Sequence, residues 1–117
     1  AEQNNSYGQA NLGAMYRDGN GVEKDEKKAV KWYRKAAEQG NEFAQYNLGL
    51  MYANGKGVLR DYVAAYAWWN LSAFYGYKDA PEARKGITPL MPPEQIAKAQ
   101  ELSKELLEKI VANKKKP

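Results

Sequence analysis

The stretch AQYNLGLMYANGKGVLRDYVAAYAWWNLSAFYG, residues 44–76, decides the fold, because most of what precedes it is the same stretch written once already. Its skeleton is Leu48, Gly49, Met51, Tyr52, Gly55, Gly57, Val58, Asp61, Ala65, Trp68, Ala73 and Gly76. The same residue types stand 36 positions earlier as Leu12, Gly13, Met15, Tyr16, Gly19, Gly21, Val22, Asp25, Ala29, Trp32, Ala37 and Gly40. A fixed period of about 20–50 residues marks a solenoid, in which each unit buries its apolar face only by stacking on the next.

Within each copy the pattern predicts two helices. Residues 7–18 form the first, with Leu12 and Tyr16 four apart, and Gly19-Asn20-Gly21 ends it with residues that tolerate positive φ. Asp25 is a good N-cap for a second helix over 26–39, closed by Gly40. The cycle returns as a helix over 42–54, the turn Gly55-Lys56-Gly57, the cap Asp61 and a helix over 62–75. A third helix of the first type is predicted over 79–86, with Pro81 in its first turn, although Arg84-Lys85 stand where Leu-Gly should. Pro89, Pro92 and Pro93 interrupt the chain, and a long amphipathic helix follows over 93–112. Its apolar stripe is Ile96, Ala99, Leu102 or Ser103, Leu106 and Ile110.

Glycine inside a helix costs about 1 kcal/mol against alanine. Gly13 and Gly49 are therefore expected to admit a neighbouring helix closely, as are the small Ala29, Ala36, Ala37, Ala65 and Ala73, while Trp32 and Trp68 fill the space between helices.

The 117 residues bound the chain to one domain, and 44% hydrophobic with 27% charged residues is ordinary for a soluble protein. No apolar run approaches the roughly 18 residues of a membrane span, and no signal peptide is visible; a soluble chain is expected, cytoplasmic or bacterial periplasmic, with the compartment left open. There is no cysteine and no histidine, which removes disulfides, thiolate chemistry and the commonest general base. Of the net charge of +4, Lys114, Lys115 and Lys116 supply three, which leaves the body at +1.

The skeleton resembles the Sel1-like repeat, a 36-residue relative of the tetratricopeptide repeat. The pattern A-x-x-x-LG-x-MY-x-x-G-x-GV-x-x-D-x-x-x-A-x-x-W-Y-x-x-AA-x-x-G is matched over 8–40 and 44–76. Departures are Gly8 for the Ala44 type, Trp69 for the Tyr33 type and Ser72 for the Ala36 type. The segment from Met91 to Ala97 looks like the closing helix that follows the last repeat in bacterial members. The resemblance implies an all-α superhelical solenoid of antiparallel helix pairs with a C-terminal capping helix, and a role in protein–protein interaction. The expected layout is one domain over 1–112, with a partial repeat over 1–4, repeats over 5–40 and 41–76, and a degenerate repeat with the capping helix over 77–112. A disordered basic tail follows over 113–117. Because Ala1-Glu2-Gln3 matches Ala37-Glu38-Gln39, the chain is read as starting inside a repeat of a longer solenoid, whose remainder is one candidate partner.

The Gly-x-Gly-Val turns suggest phosphate binding, but no strand precedes them and Asp25 and Asp61 put carboxylates where an anion would sit. Ser6, Ser72 and Ser103 have no histidine to activate them, so no enzyme, cofactor or metal is expected. Lys27, Lys28, Lys31, Arg34 and Lys35 line one helix; we read them as a solvated convex face and expect no nucleic acid.

Comparison of the two first-type helices singles out a site. At about 100° per residue, Gln9, Leu12, Gly13 and Tyr16 share a face that recurs as Gln45, Leu48, Gly49 and Tyr52. The other face diverges: Tyr7, Ala10, Ala14, Arg17 and Asp18 become Phe43, Tyr46, Leu50, Ala53 and Asn54. In a superhelix that resembles tetratricopeptide arrays these helices line the concave side. Tyr7, Asn11, Arg17, Asp18, Phe43, Tyr46, Asn47, Leu50 and Asn54 are therefore the expected partner-binding residues, for a protein or peptide. Two functions remain: a peptide-binding scaffold, or an end-cap or spacer without a ligand of its own.

Overall fold

The computed structural model describes residues 5–114, and the expected partial repeat over 1–4 and the end of the tail lie outside them. Six α-helices follow in order: α1 (Ser6–Asp18), α2 (Glu26–Ala37), α3 (Glu42–Asn54), α4 (Tyr62–Phe74), α5 (Ala80–Ile87) and α6 (Pro93–Lys114), with a 3-10 turn at Thr88–Leu90. No strand occurs among the described residues. The helices pack as α1 on α2, α2 on α3, α3 on α4, and α4 on both α5 and α6. This is the all-α solenoid that the repeat predicts.

The helix ends are written twice, like the sequence. Asp25 and Asp61 cap α2 and α4, each Oδ1 accepting from the amide three residues on, Lys28 and Ala64, at 3.1 Å. Asn41 caps α3 in the same way through the Ala44 amide. Gly19 and Gly55 close α1 and α3 at φ of 73° and 65°, a left-handed conformation that side chains disfavour. Beyond each turn the amides of Asp25 and Asp61 donate to the carbonyls of Tyr16 and Tyr52 at 2.9 Å, which fixes the entry of the next helix.

The mid-helix glycines mark the closest helix approaches. A Cβ on Gly13 would lie 2.7 Å from Cδ1 of Tyr33, and one on Gly49 would lie 2.6 Å from Cδ1 of Trp69. The residues that fill the space between helices are thus Tyr33 and Trp69, one position after the tryptophans expected there. Trp68 is buried, but Trp32 is half-exposed. The difference has a simple cause: α6 overlies α4, whereas no helix among the described residues covers the outer face of α2. Two apolar clusters form the core. The first joins Ala29, Val30, Tyr33, Leu48, Trp68 and Leu71 with Ile110. The second joins Ala65, Trp69, Ala80, Ile87 and Met91 with Ala99.

Helix α6 therefore serves both clusters along the predicted stripe, with Ile96 against the second and Leu106 against the first. On α4 the face it meets carries Ala64, Ala67 and Leu71, all buried. The helix runs two residues past its expected end, through Asn113 and Lys114. Lys114 Nζ lies 5.1 Å from the ring centroid of Tyr75, a cation–π contact that ties down the last turn.

Two buried side-chain oxygens lack a hydrogen-bond partner among the described residues, one on Gln45 and one on Tyr33. Burial pushes the pKa of the Tyr33 hydroxyl up to about 12. The folded state holds this phenol neutral while the unfolded chain ionises near pH 10. Its contribution is therefore complete below about pH 10 and is lost as pH rises towards about 12. Tyr33→Phe is expected to keep or raise stability at neutral pH, by up to about 1 kcal/mol, since an unsatisfied hydroxyl is removed. It should also flatten the alkaline loss in urea titrations. A loss above about 1 kcal/mol at neutral pH would mean that the hydroxyl has a partner after all.

Candidate functional site

The expected binding residues of α1 and α3 are brought together in part. Five of the nine, Arg17, Asp18, Asn47, Leu50 and Asn54, line one open cleft of roughly 300 Å³. It lies between the C-terminal ends of α1 and α3, where the capped turns leave both helices. Glu26 and Met51 complete it, together with Lys24 and Lys56, which the turns supply.

Arg17 organises its wall. Its Nε and Nη2 donate to the two carboxylate oxygens of Asp18 at 2.9 and 3.0 Å, and Nη1 donates to Oδ1 of Asn47 at 2.5 Å. The guanidinium also lies 5.9 Å from the centre of the Tyr33 ring. The hydrogen bond from Arg17 holds the Asp18 carboxyl below its ordinary range, and the same bond raises Arg17. Asn47 Nδ2 donates back to the carbonyl of Phe43 within α3 at 2.9 Å, while its Oδ1 takes the bond from Arg17 that links α1 to α3. Asn54 is exposed at the rim. Leu50 and Met51 supply apolar surface, with Met51 buried and Leu50 packed partly against the second cluster.

Phe43 and Tyr46 go elsewhere. Both are half-buried in a ring cluster: Phe43 meets Tyr33 and Tyr77 edge-on at 6.4 and 6.3 Å, and Tyr46 lies 4.8 Å from Tyr77 and 6.4 Å from Trp69. Burial raises the pKa of Tyr46. Tyr7 is 70% exposed and Asn11 is exposed, both outside the cleft. Sequence reasoning missed Lys24, Glu26, Met51 and Lys56 in the cleft and Tyr77 in the ring cluster. The lysines sit in turns at positions that do not correspond between the repeats, and Tyr77 follows Gly76, where the repeat skeleton ends.

The cleft offers an apolar floor, the exposed amide of Asn54, the ammonium groups of Lys24 and Lys56, and the carboxylates of Asp18 and Glu26. That chemistry suits hydrogen bonding and charge contact with a chain. Among the described residues no three or more acidic, histidine or cysteine side chains gather in a way that could hold a metal.

Comparison with known proteins fits this helical layout. The Sel1 repeat profile matches residues 6–41 and 43–73, more than half of the chain. The chain belongs to the Sel1 repeat family. Its structure is similar to that of a protective antigen present in uropathogenic Escherichia coli strains, which displays an SLR fold. The two share 38% identity at a TM-score of 0.90, over 94% of this chain and 24% of that one. A Sel1 repeat protein from Oxalobacter formigenes is 40% identical at a TM-score of 0.71, over 74% of this chain and 35% of that one. Cysteine rich protein B of Helicobacter pylori is 30% identical at 0.66, over 68% and 60%. The Sel1 chain described here thus spans between about a quarter and three-fifths of the length of these relatives. No match is found among curated proteins. Sel1-repeat proteins are in general protein-interaction scaffolds. No described helix is long and apolar enough to cross a membrane.

Proposed function

We propose that this chain is a non-catalytic scaffold that binds a protein or peptide along the face shared by α1 and α3, centred on the cleft between Arg17 and Asn54. The observation that carries the reading is convergence. Arg17, Asp18, Leu50 and Asn54, which differ from their counterparts in the other repeat, meet at one open cleft with an apolar floor and polar rim. The Arg17–Asp18–Asn47 network holds the wall in place before a ligand arrives, which reduces the ordering cost of binding. Asn54 can pair with a peptide backbone, and Lys24 and Lys56 with a carboxylate.

The test is selection of peptides from a random display library on the intact chain, followed by titration of the variants Asn54→Ala and Lys56→Glu. Both residues are exposed, so each change should move stability by no more than about 0.5 kcal/mol. Each is expected to weaken the selected peptides by roughly tenfold, with melting unchanged. The second reading is an end segment of a longer repeat protein without its own ligand, and the sealing of α4 by α6 favours it. Failure to select any peptide sensitive to these two changes would leave that reading standing instead.

A further inference from the structure

The outer face of α2 carries cations that the fold does not neutralise. Lys27, Lys28, Lys31 and Lys35 are all exposed, and none forms an ion pair among the described residues. Lys27, Lys31 and Lys35 follow at four-residue spacing, so their mutual repulsion weakens the helix that bears them. Lys27 and Lys28 stand in the first turn, where a cation opposes the helix dipole, with Asp25 and Glu26 as the acids against them. Among these charges lies the half-exposed Trp32, with Lys35 and Lys31 Nζ 4.8 and 5.7 Å from its ring centroid. A face arranged for its own stability would alternate the signs of its charges.

The second repeat shows what such a face can hold. Thirty-six residues on, Lys27, Lys28, Lys31, Trp32 and Lys35 correspond to Val63, Ala64, Ala67, Trp68 and Leu71. There the amphipathic helix α6 lies along α4, and Ala64, Ala67, Trp68 and Leu71 are buried. The same scaffold thus presents one helix-bearing face with its helix in place, and a copy of that face without one. The copy differs in its chemistry: lysines replace the aliphatic residues, and the tryptophan stays.

We propose that the outer face of α2 docks an acidic amphipathic helix of a partner protein, laid on α2 as α6 is laid on α4. Carboxylates at four-residue spacing on that helix meet Lys27, Lys31 and Lys35, and an apolar side chain between them covers Trp32. Charge complementarity selects this occupant. A second copy's α6 does not fit it, because the exposed acids Glu94, Glu101, Glu105 and Glu108 are interleaved there with Lys98, Lys104 and Lys109. None of Lys27, Lys31, Trp32 and Lys35 lines the α1–α3 cleft, so the proposal does not depend on it.

The probe is a fluorescein-labelled helical peptide of about 20 residues, long enough to hold helix in water, with Glu at every fourth position and Leu beside it. Its control replaces each Glu by Gln. Anisotropy titrations of the intact chain should show the Glu peptide binding, with affinity falling as salt rises, and the Gln peptide failing to bind. The triple variant Lys27→Gln, Lys31→Gln, Lys35→Gln should lose at least about tenfold in affinity while melting at or above the parent temperature. The single variant Lys31→Glu repeats the measurement should the triple variant fold poorly. Equal binding of the Gln peptide, no binding of the Glu peptide, or indifference to the lysine changes would each overturn the proposal. So would displacement of the peptide by single-stranded oligonucleotide or phosphatidylserine vesicles at lower charge concentration, which would make the face a general polyanion or membrane site. Self-association of the parent chain that the triple variant abolishes would assign the face to a second copy and overturn it equally.

Discussion

Removal of residues 93–117 is expected to cost most of the stability of this chain and to drive what remains into oligomers. Helix α6 touches no other helix as extensively as α4, and α4 carries the second repeat. Without α6, the buried Trp68 and Leu71 and the half-buried Val63 face water on one side, as Lys27, Lys31 and Lys35 do on α2. Each large apolar side chain returned to water costs about 1.5–3 kcal/mol, so three remove on the order of 5 kcal/mol. A domain of this size is stable by only about 5–15 kcal/mol, and helices α1 to α3 lean on α4 in turn. The melting midpoint, followed by circular dichroism, should therefore fall by tens of degrees or lose its cooperativity. Light scattering should show self-association through the uncovered α4 face, since a contiguous apolar strip on a repeat protein seeks a partner. A truncated chain that stays monomeric and melts as before would show that α6 is an ornament of this fold.

The dependence on α6 was legible from a comparison within the chain. Lys27, Lys28, Lys31 and Lys35 turn into Val63, Ala64, Ala67 and Leu71 in an otherwise copied repeat, and such a change needs a new neighbour. The caps Asp25 and Asp61 and the turn glycines were legible too, because their chemistry is local: one carboxylate, one amide three residues on, one left-handed residue. Side-chain placement between helices was less so. Period alone cannot say whether Trp68 or Trp69 turns towards α3, as the two are adjacent and both apolar. The answer depends on where Gly49 opens a gap, and that is a matter of three-dimensional register.

The candidate site was legible to the extent that divergence between repeats marks freedom from packing. Arg17, Asp18, Leu50 and Asn54 do line one cleft, although Arg17 also bonds Asn47 and Leu50 packs partly against the second cluster. Phe43 and Tyr46 show its limit. They diverge because each repeat meets a different successor: Tyr77, from the segment after the last full repeat, stacks 4.8 Å from Tyr46 and meets Phe43 edge-on at 6.3 Å. A position can differ between two copies because it is free, or because its neighbour differs. One sequence does not separate these cases where the neighbour lies beyond the repeat.

Trp69→Ala should be the most damaging single substitution, and its cost should shrink when Gly49 is changed with it. Trp69 is 3% exposed, and its indole Nε1 donates to the carbonyl of Tyr46 at 3.0 Å, so truncation opens a large cavity and removes a part-buried hydrogen bond between α4 and α3. Loss of a buried tryptophan costs about 3–5 kcal/mol. Gly49→Ala alone forces a methyl into the indole ring, with Cδ1 only 2.6 Å from the added carbon. Overpacking of this kind costs about 1–3 kcal/mol, against about 1 kcal/mol gained from better helix propensity, so the single variant should be modestly destabilised. In the double variant the methyl enters space the indole has vacated. The clash term disappears while the helix gain remains, and the double variant should be more stable than the sum of the singles by about 1 kcal/mol or more. Urea unfolding of the four proteins measures this coupling directly. The same cycle at Gly13 and Tyr33, where the added carbon lies 2.7 Å from the ring, should give the same sign. Additive losses at both pairs would show that neither glycine is there to admit its aromatic neighbour, and the packing rule of the repeat would need another basis.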